Sequence, residues 1–190
     1  DRSGQRIAVI GGGNTAIDAS TQAAMCGAER VYLVYRRARG EMRAYPHDIE
    51  RALMNGVEFI HWAIPVSIDG DTRVSGLTCM RTEYVDEDGA PTLVPVDGSE
   101  FRLGVDRVLR ATGQQKRVGF LDTLPDVELD TAGRVIVDDG FRTTNQRIWA
   151  GGDCVNGGKE VVNAVAHGKA AALDIDRTLR TAAQKETRHG

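Results

Sequence analysis

Nothing in the sequence approaches the run of roughly 18 apolar residues that a membrane-spanning helix needs, and no secretory signal peptide is visible. Cysteine is scarce. Cys26, Cys79 and Cys154 lie far apart, with no C-x-x-C pair and no metal-ligand spacing, which argues against a disulfide framework and fits packing residues in a reducing compartment. An excess of positive charge is lacking too. With 24 Lys and Arg against 27 Asp and Glu the net charge is −3, so neither nucleic acid nor an anionic membrane surface is expected as a partner. The expected location is the cytoplasm. His47 and His61 have no partner pattern around them and read as surface or packing residues. No side chain reads as a proton-transfer catalyst, and no metal site is expected. The acidic run Asp86-Glu87-Asp88-Gly89 has the composition of a solvated hairpin tip, not of a cation site.

What is present is ordinary for a soluble globular chain: 190 residues, 41% hydrophobic and 27% charged, enough for one good core or a main domain with a smaller appendage. The informative stretch is Ile7-Ala8-Val9-Ile10-Gly11-Gly12-Gly13-Asn14-Thr15-Ala16. Its apolar start reads as a buried strand and its end as the opening of a helix, the context in which a G-x-G-x-x-G/A fingerprint binds a dinucleotide. Gly11 permits a tight turn, Gly13 lets backbone approach a pyrophosphate, and Ala16 lets the helix lie close on the strand. The unpaired N–H groups and positive dipole end of a helix starting at Asn14 and Thr15 then face the phosphates, with Gly12 in the turn between. Taken alone, a glycine-rich βα turn that merely saves space would look the same.

The helix expected from Asn14 to Cys26 ends at Gly27, and Val31–Tyr35 is the second strand, giving a βαβ unit of about 30 residues. An NAD-type site wants an acid at the tip of that strand, to bond the ribose 2′-hydroxyl. Here the tip is Tyr35-Arg36-Arg37-Ala38-Arg39. Guanidinium groups bind a 2′-phosphate with charge-assisted bonds where a carboxylate would repel it, so Arg36 and Arg37 point to NADPH over NADH. Arg43 is a candidate third contact, or an exposed loop arginine.

A helix over Pro46–Asn55 and a strand over Val57–Trp62 follow. Val74–Val85, Thr92–Val96 and Glu100–Leu103 then have the texture of an antiparallel meander. Asp106–Arg110 returns to a buried strand ending in Ala111-Thr112-Gly113, which would sit beyond a strand's carboxyl end, where open parallel sheets bind ligands. The last third offers Val135-Ile136-Val137-Asp138, then a strand, double glycine and Asp at Arg147-Ile148-Trp149-Ala150-Gly151-Gly152-Asp153, and a long helix from about Glu160 to Arg180 with Val161, Val162, Val165, Ala166, Ala172, Ile175 and Leu179 as its apolar residues. Gly152 and Asp153 could present a backbone N–H and a carboxylate to an anionic or polyol ligand, or Asp153 could simply cap its own loop. Residues 181–190 read as a frayed tail. Because the fingerprint strand follows Asp1 within six residues and no methionine precedes it, the chain reads as a piece of something longer, an appearance that N-terminal processing also gives.

In order and spacing these motifs resemble the pyridine-nucleotide half of flavin oxidoreductases with two dinucleotide-binding domains. Within them the chain is similar to the family of the NADPH-dependent glutamate synthase small subunit and the dihydropyrimidine dehydrogenase N-terminal module. The likeness is carried by Val9–Ala16, Tyr35-Arg36-Arg37, Met42-Arg43-Ala44-Tyr45-Pro46, Ala111-Thr112-Gly113, Ile148–Asp153, Glu160-Val161-Val162 and Ala166-His167-Gly168. It implies an α/β fold in which residues 1–113 form a Rossmann-like NADPH-binding domain with an antiparallel meander, and residues 114–180 close a split FAD-binding domain. It implies cofactor contacts from Gly11–Ala16, Arg36, Arg37, Arg43, Ala111, Thr112, Gly113, Gly152, Asp153 and the helix start at Val161. It also implies hydride transfer from NADPH to FAD, with electrons passing onward to a partner or acceptor. The family's first glycine fingerprint and its cysteine-rich iron–sulfur segment have no counterpart here. Expected partners are therefore that FAD and iron–sulfur portion or an electron-accepting large subunit, with self-association through residues 114–180 as a further possibility. The lack of C-x-x-C argues against disulfide exchange of the thioredoxin-reductase type. The reading from another class is a non-catalytic dinucleotide-binding or interaction module.

Overall fold

The computed structural model describes residues 5–113, 118–121 and 123–186. The chain divides into two compact units, Asp1–Gln114 and Gln115–Gly190.

In the first unit β1 (Arg6–Ile10), α1 (Asn14–Met25), β2 (Arg30–Tyr35), α2 (Pro46–Met54) and β3 (Glu58–His61) follow the expected βαβ pattern. After them come β4 (Ala63–Gly70), β5 (Val74–Glu87), β6 (Ala90–Pro95), β7 (Phe101–Leu103) and β8 (Arg107–Arg110). β8 returns to lie parallel beside β1, so the parallel sheet has the order β3-β2-β1-β8. That is the order of a doubly wound nucleotide-binding sheet, with its switch point between β1 and β8. The antiparallel sheet is built on the long β5, which pairs with β4, β6 and β7.

Alternation along β1 and β2 explains the layering, because successive strand side chains point to opposite faces. Ile7, Val9, Val31 and Leu33 pack with Ala16, Ile17 and Ala23 of α1 and Ile49 and Ala52 of α2. Ala8, Tyr32 and Val34 pack on the other side with Ala63, Leu77, Cys79 and Val105. Both faces of the parallel sheet are therefore covered, one by helices and one by the antiparallel sheet, as continuous apolar strands require. Ser20 and Thr21 enter this core without leaving a hydroxyl unpaired, since both donate to the Ile17 carbonyl at 2.9 and 2.8 Å.

Two details depart from expectation. Trp62 does not extend β3. It takes a left-handed backbone (φ +57°), uncommon for a bulky residue, and turns the chain out of the parallel sheet into β4. That strand, unassigned from sequence, runs along the antiparallel edge and carries Pro65 at a register shift, where a missing N–H is tolerated. At the hairpin tip, β5 extends through Asp86 and Glu87, and only Asp88 and Gly89 make the turn, both with positive φ.

The second unit has little regular structure ahead of its last helix. α3 (Val118–Leu121) and α4 (Asp153–Asn156) are single turns. Val135, Val137, Thr143 and Trp149 make isolated bridges, and among the described residues of this unit no regular strand runs ahead of Gly151, where one was expected over Arg147–Ala150. α5 (Val161–Glu186) is 26 residues long and runs past Arg180 into the stretch expected to fray. Of its apolar residues, Val161, Val162, Val165 and Leu179 are exposed. The half-buried side belongs to Asn163, His167, Ala171, Asp174, Ile175 and Thr178.

Candidate functional site

A cleft of about 580 Å³ opens in the first unit, in the size range of small-molecule and cofactor sites, lined by Gly11, Gly12, Gly13, Thr15, Arg36, Arg37, Arg43, Ala111, Thr112 and Gly113 among others. The three strand ends explain the convergence. β1 delivers the glycines, β2 delivers the arginines, and β8 delivers Ala111–Gly113, all at carboxyl ends of parallel strands.

The glycines differ in why they are glycine. At Gly11 (φ +149°) a Cβ would stand 2.3 Å from the Ala111 carbonyl oxygen and 3.0 Å from the Ala16 Cβ. Its amide donates to the Val34 carbonyl at 3.0 Å, and the Ala111 amide donates to the Ile10 carbonyl at 2.8 Å. Gly11 and Ala16 are thus small for the protein's own packing. At Gly12 a Cβ would meet the Tyr35 ring at 2.3 Å. At Gly13 no atom lies within 4 Å of a Cβ, and its backbone is extended (φ −99°). Nothing among the described residues demands glycine there. The open space lies at the start of α1, where the Ala16 amide donates to the Gly13 carbonyl at 3.0 Å and the Asn14 and Thr15 amides have no acceptor within the helix. The geometry fits an anionic group held by backbone.

Asn14 does not line the cleft. Its Oδ1 accepts the Tyr45 amide at 3.0 Å and ties the helix start to the loop ahead of α2. That loop is pinned again where the Arg43 amide donates to the Gly12 carbonyl at 3.1 Å. Arg36 and Arg43 are exposed and form no ion pair among the described residues. Arg37 approaches Glu41, with 4.0 Å between Nη1 and Oε1, while its Nε is buried without a partner. Hydrogen bonding from the Tyr84 hydroxyl, and then from the Ala38 amide, holds the Glu41 carboxyl below its ordinary range.

In the second unit, Gly152 lines a shallow groove of about 320 Å³ with Trp149, Ala164, Gly168, Ala171 and Ile175. Its amide donates to His167 Nδ1 at 3.1 Å, so that N–H is already used within the unit. Asp153, in the first turn of α4, and Val161 are exposed, and neither lines the groove. Below the glycines, the Asp174 carboxylate accepts from Trp149 Nε1 at 2.9 Å and from Arg142 Nη2 at 2.7 Å. These bonds hold its carboxyl below the usual carboxylate range.

Comparison with known proteins places the chain in a family. The family model for pyridine nucleotide-disulphide oxidoreductases matches residues 1–168. The chain belongs to that family. It is 38% identical over 181 residues to the NADP(+)-dependent formate dehydrogenase subunit beta of Moorella thermoacetica, covering 93% of this chain and 25% of that one. It is 37% identical to the glutamate synthase [NADPH] small chain of Escherichia coli, covering 90% of this chain and 38% of the relative. The chain therefore spans about a quarter to two fifths of the length of these curated relatives. Among solved structures it resembles the T. acidophilum thioredoxin reductase (TM-score 0.69, 24% identity, 90% of this chain and 51% of that one). It also resembles Mycobacterium tuberculosis FprA in complex with NADPH (TM-score 0.62, 18% identity, 98% and 55%). Both are likenesses of fold.

The family's name includes a disulphide, yet Cys26, Cys79 and Cys154 are all free, and burial pushes the Cys79 thiol up to about 11. Sequence reasoning missed the roles of Tyr35 over Gly12 and of Ala63-Ile64-Pro65 on the cleft wall, and, outside the lining, the Glu41–Tyr84 pair beside Arg37. The alternation of Ile64, Val66 and Ile68 was the signal that could have revealed β4. No local pattern links Glu41 to Tyr84.

Proposed function

We propose that the chain is the NADPH-binding part of an FAD-dependent oxidoreductase, with residues 1–113 as the nucleotide-binding domain and 114–180 as the closing part of the FAD domain. The observation that carries this reading is the cleft in which the open side of Gly13, the start of α1 and Arg36, Arg37 and Arg43 converge. Backbone amides there would hold the pyrophosphate, and the guanidinium groups would bond the ribose 2′-phosphate. Ala111, Thr112 and Gly113 would border the nicotinamide, being small residues that leave room beside the fingerprint. Bound NADPH supplies the hydride; the residues of this chain bind and orient it. The relatives' names, NADP(+)-dependent and NADPH-linked, agree with the arginines.

The FAD belongs to the longer parent. Exposed Asp153 is the group we assign to its polyol or pyrophosphate region, with Gly152 and the Val161 helix start nearby in sequence. The exposed apolar residues of α5 support an interface with the remainder of that parent, which supplies the other FAD contacts and passes electrons to an acceptor. Unpaired Cys26 and Cys154 on the surface support a reducing, cytoplasmic setting, and no helix among the described residues is long and apolar enough to cross a membrane.

Titration with NADPH and NADH tests the central point. The unmodified chain should bind NADPH at least about tenfold tighter, the worth of one or two charge-assisted bonds. Arg36→Ala/Arg37→Ala should remove that preference and leave NADH binding nearly unchanged. Equal affinity of the unmodified chain for both nucleotides would sink the assignment.

A further inference from the structure

We propose that Glu41 and Tyr84 are specificity-determining positioning residues for the 2′-phosphate, and that the antiparallel sheet serves, through them, as the brace of the arginine loop. The inference rests on the NADPH reading above. It starts from a mechanical problem. After β2 ends at Tyr35, the segment carrying Arg36 and Arg37 has no helix or strand bonding of its own. Two flexible cationic side chains on an irregular segment would lose much of their binding advantage to conformational entropy.

The fastenings come from elsewhere in the chain. Buried Thr82 on β5 donates to the Arg36 carbonyl at 2.8 Å. Two residues on, Tyr84 lies on the same face of β5 and donates its hydroxyl to Glu41 Oε1 at 2.5 Å. The other oxygen, Oε2, accepts the Ala38 amide at 3.1 Å. Tyr35, whose ring covers Gly12, donates to the Glu41 carbonyl at 2.8 Å. Trp62 sets its ring at 86° to Tyr84, with centroids 5.6 Å apart. One residue thus joins three parts: the Glu41 carboxylate ties the loop to the meander, and its backbone carbonyl holds Tyr35 over the glycine turn.

An acid at this place raises a second question, since a free carboxylate close to the arginines would repel a phosphate. Here both oxygens are engaged, one by an amide and one by a phenol. The 4.0 Å approach of Arg37 Nη1 to Oε1 holds one side of the guanidinium toward Glu41, and with Nε buried the other terminal nitrogen is the donor group left for a ligand. Tyr84 therefore has two effects: it steadies Glu41, and it occupies a lone pair that would otherwise face the phosphate site.

The test compares NADPH and NADH affinity in Tyr84→Phe, in Glu41→Gln and in the double variant. Tyr84→Phe removes one exposed hydroxyl and no apolar contact. It should weaken NADPH about tenfold, the order expected for one hydrogen bond to a charged group, while NADH changes less than about twofold. The double variant should bind NADPH more tightly than Tyr84→Phe alone, because the amide of Gln carries no charge to unmask yet still accepts from Ala38. A purely structural role predicts the opposite sign of this coupling. Parallel loss of both nucleotides, an unchanged NADPH-to-NADH ratio in Tyr84→Phe, or a double variant no better than the single overturns the proposal. Arg36→Ala separates the two levels. If it abolishes the preference while Tyr84→Phe leaves it intact, the nucleotide assignment stands and this inference falls; if the unmodified chain shows no preference, both fall.

Discussion

The two units of this chain solve the problem of holding a helix in different ways. In the first, β1 and β2 send alternate residues into two cores, and Leu33, Val9, Ile7 and Ile17 are at most 1% exposed. α1 is held by apolar contact with the sheet, and its only buried polar groups bond within the helix. In the second, α5 leaves Val161 78%, Val165 64% and Leu179 64% exposed. It is held from its other side by directional contacts: Asp174 to Arg142 and Trp149, His167 to the Gly152 amide, and the Phe141 ring 4.3 Å from that of His167. Apolar burial is proportional to area and indifferent to angle, whereas these bonds depend on geometry and charge. The first unit should therefore answer to changes of volume, and the second to changes of polarity and pH. The two tryptophans make the comparison measurable, because Trp62 lies in the first unit and Trp149 in the second.

The largest effect should come from Gly11→Ala. The new Cβ meets the Ala111 carbonyl oxygen at 2.3 Å on a backbone with φ +149°, so strain and overlap together should cost about 3 kcal/mol or more. Urea unfolding read from Trp62 should show it. Gly13→Ala, with nothing within 4 Å, should cost under about 1 kcal/mol, as an exchange at a helix start does. It should nevertheless lose nucleotide affinity, and a fold as damaged as that of Gly11→Ala would show that Gly13 is structural after all. Next comes Leu33→Ala, at 0% exposure in the two-sided sheet. A cavity there should cost about 2–5 kcal/mol and lower the Trp62 transition while leaving the Trp149 transition in place.

Whether such contrasts are legible in advance depends on how local their causes are. Ile7–Ala16, the β2 tip and Ala111–Gly113 could be read because each is a short pattern whose meaning lies in adjacent residues. β4 was not, since Pro65 within the Ile64, Val66 and Ile68 alternation reads as a strand breaker and the change of sheet turns on a left-handed Trp62 that no propensity favours. Glu41 and Tyr84 stand 43 residues apart, and only the fold of β5 against the loop brings them together. The periodicity of α5 showed correctly that it is a helix with apolar residues along it. Periodicity carries no information about what lies against those residues, and of them Ile175 is half-buried while the valines and Leu179 are exposed. His167 and Asp174, polar residues on the side that packs, were the countersignal.

A pH experiment sharpens the same contrast. Because Asp174 titrates below its ordinary range in the folded unit, the folded state binds that proton less readily than the unfolded chain. Its contribution is fully present above the unfolded value near about 4 and is lost as pH falls through the lower folded value. Asp174→Asn should thus lower the Trp149 transition at neutral pH, and the gap to the unmodified protein should narrow below about pH 4. A gap independent of pH would mean that the carboxylate's charge is not what holds α5.

The smallest effect on stability should come from the residues that look most hydrophobic. Val161→Ser, Val165→Ser and Leu179→Ser remove side chains that are 78%, 64% and 64% exposed, and each should change the Trp149 transition by no more than about 0.5 kcal/mol. Their combined effect should appear instead in sedimentation, as weaker self-association, since contiguous exposed apolar surface drives chains together. If these serines cost as much as Leu33→Ala does in the other unit, the outer side of α5 is packed in solution. The contrast between a unit held by volume and a unit held by polar bonds would then collapse.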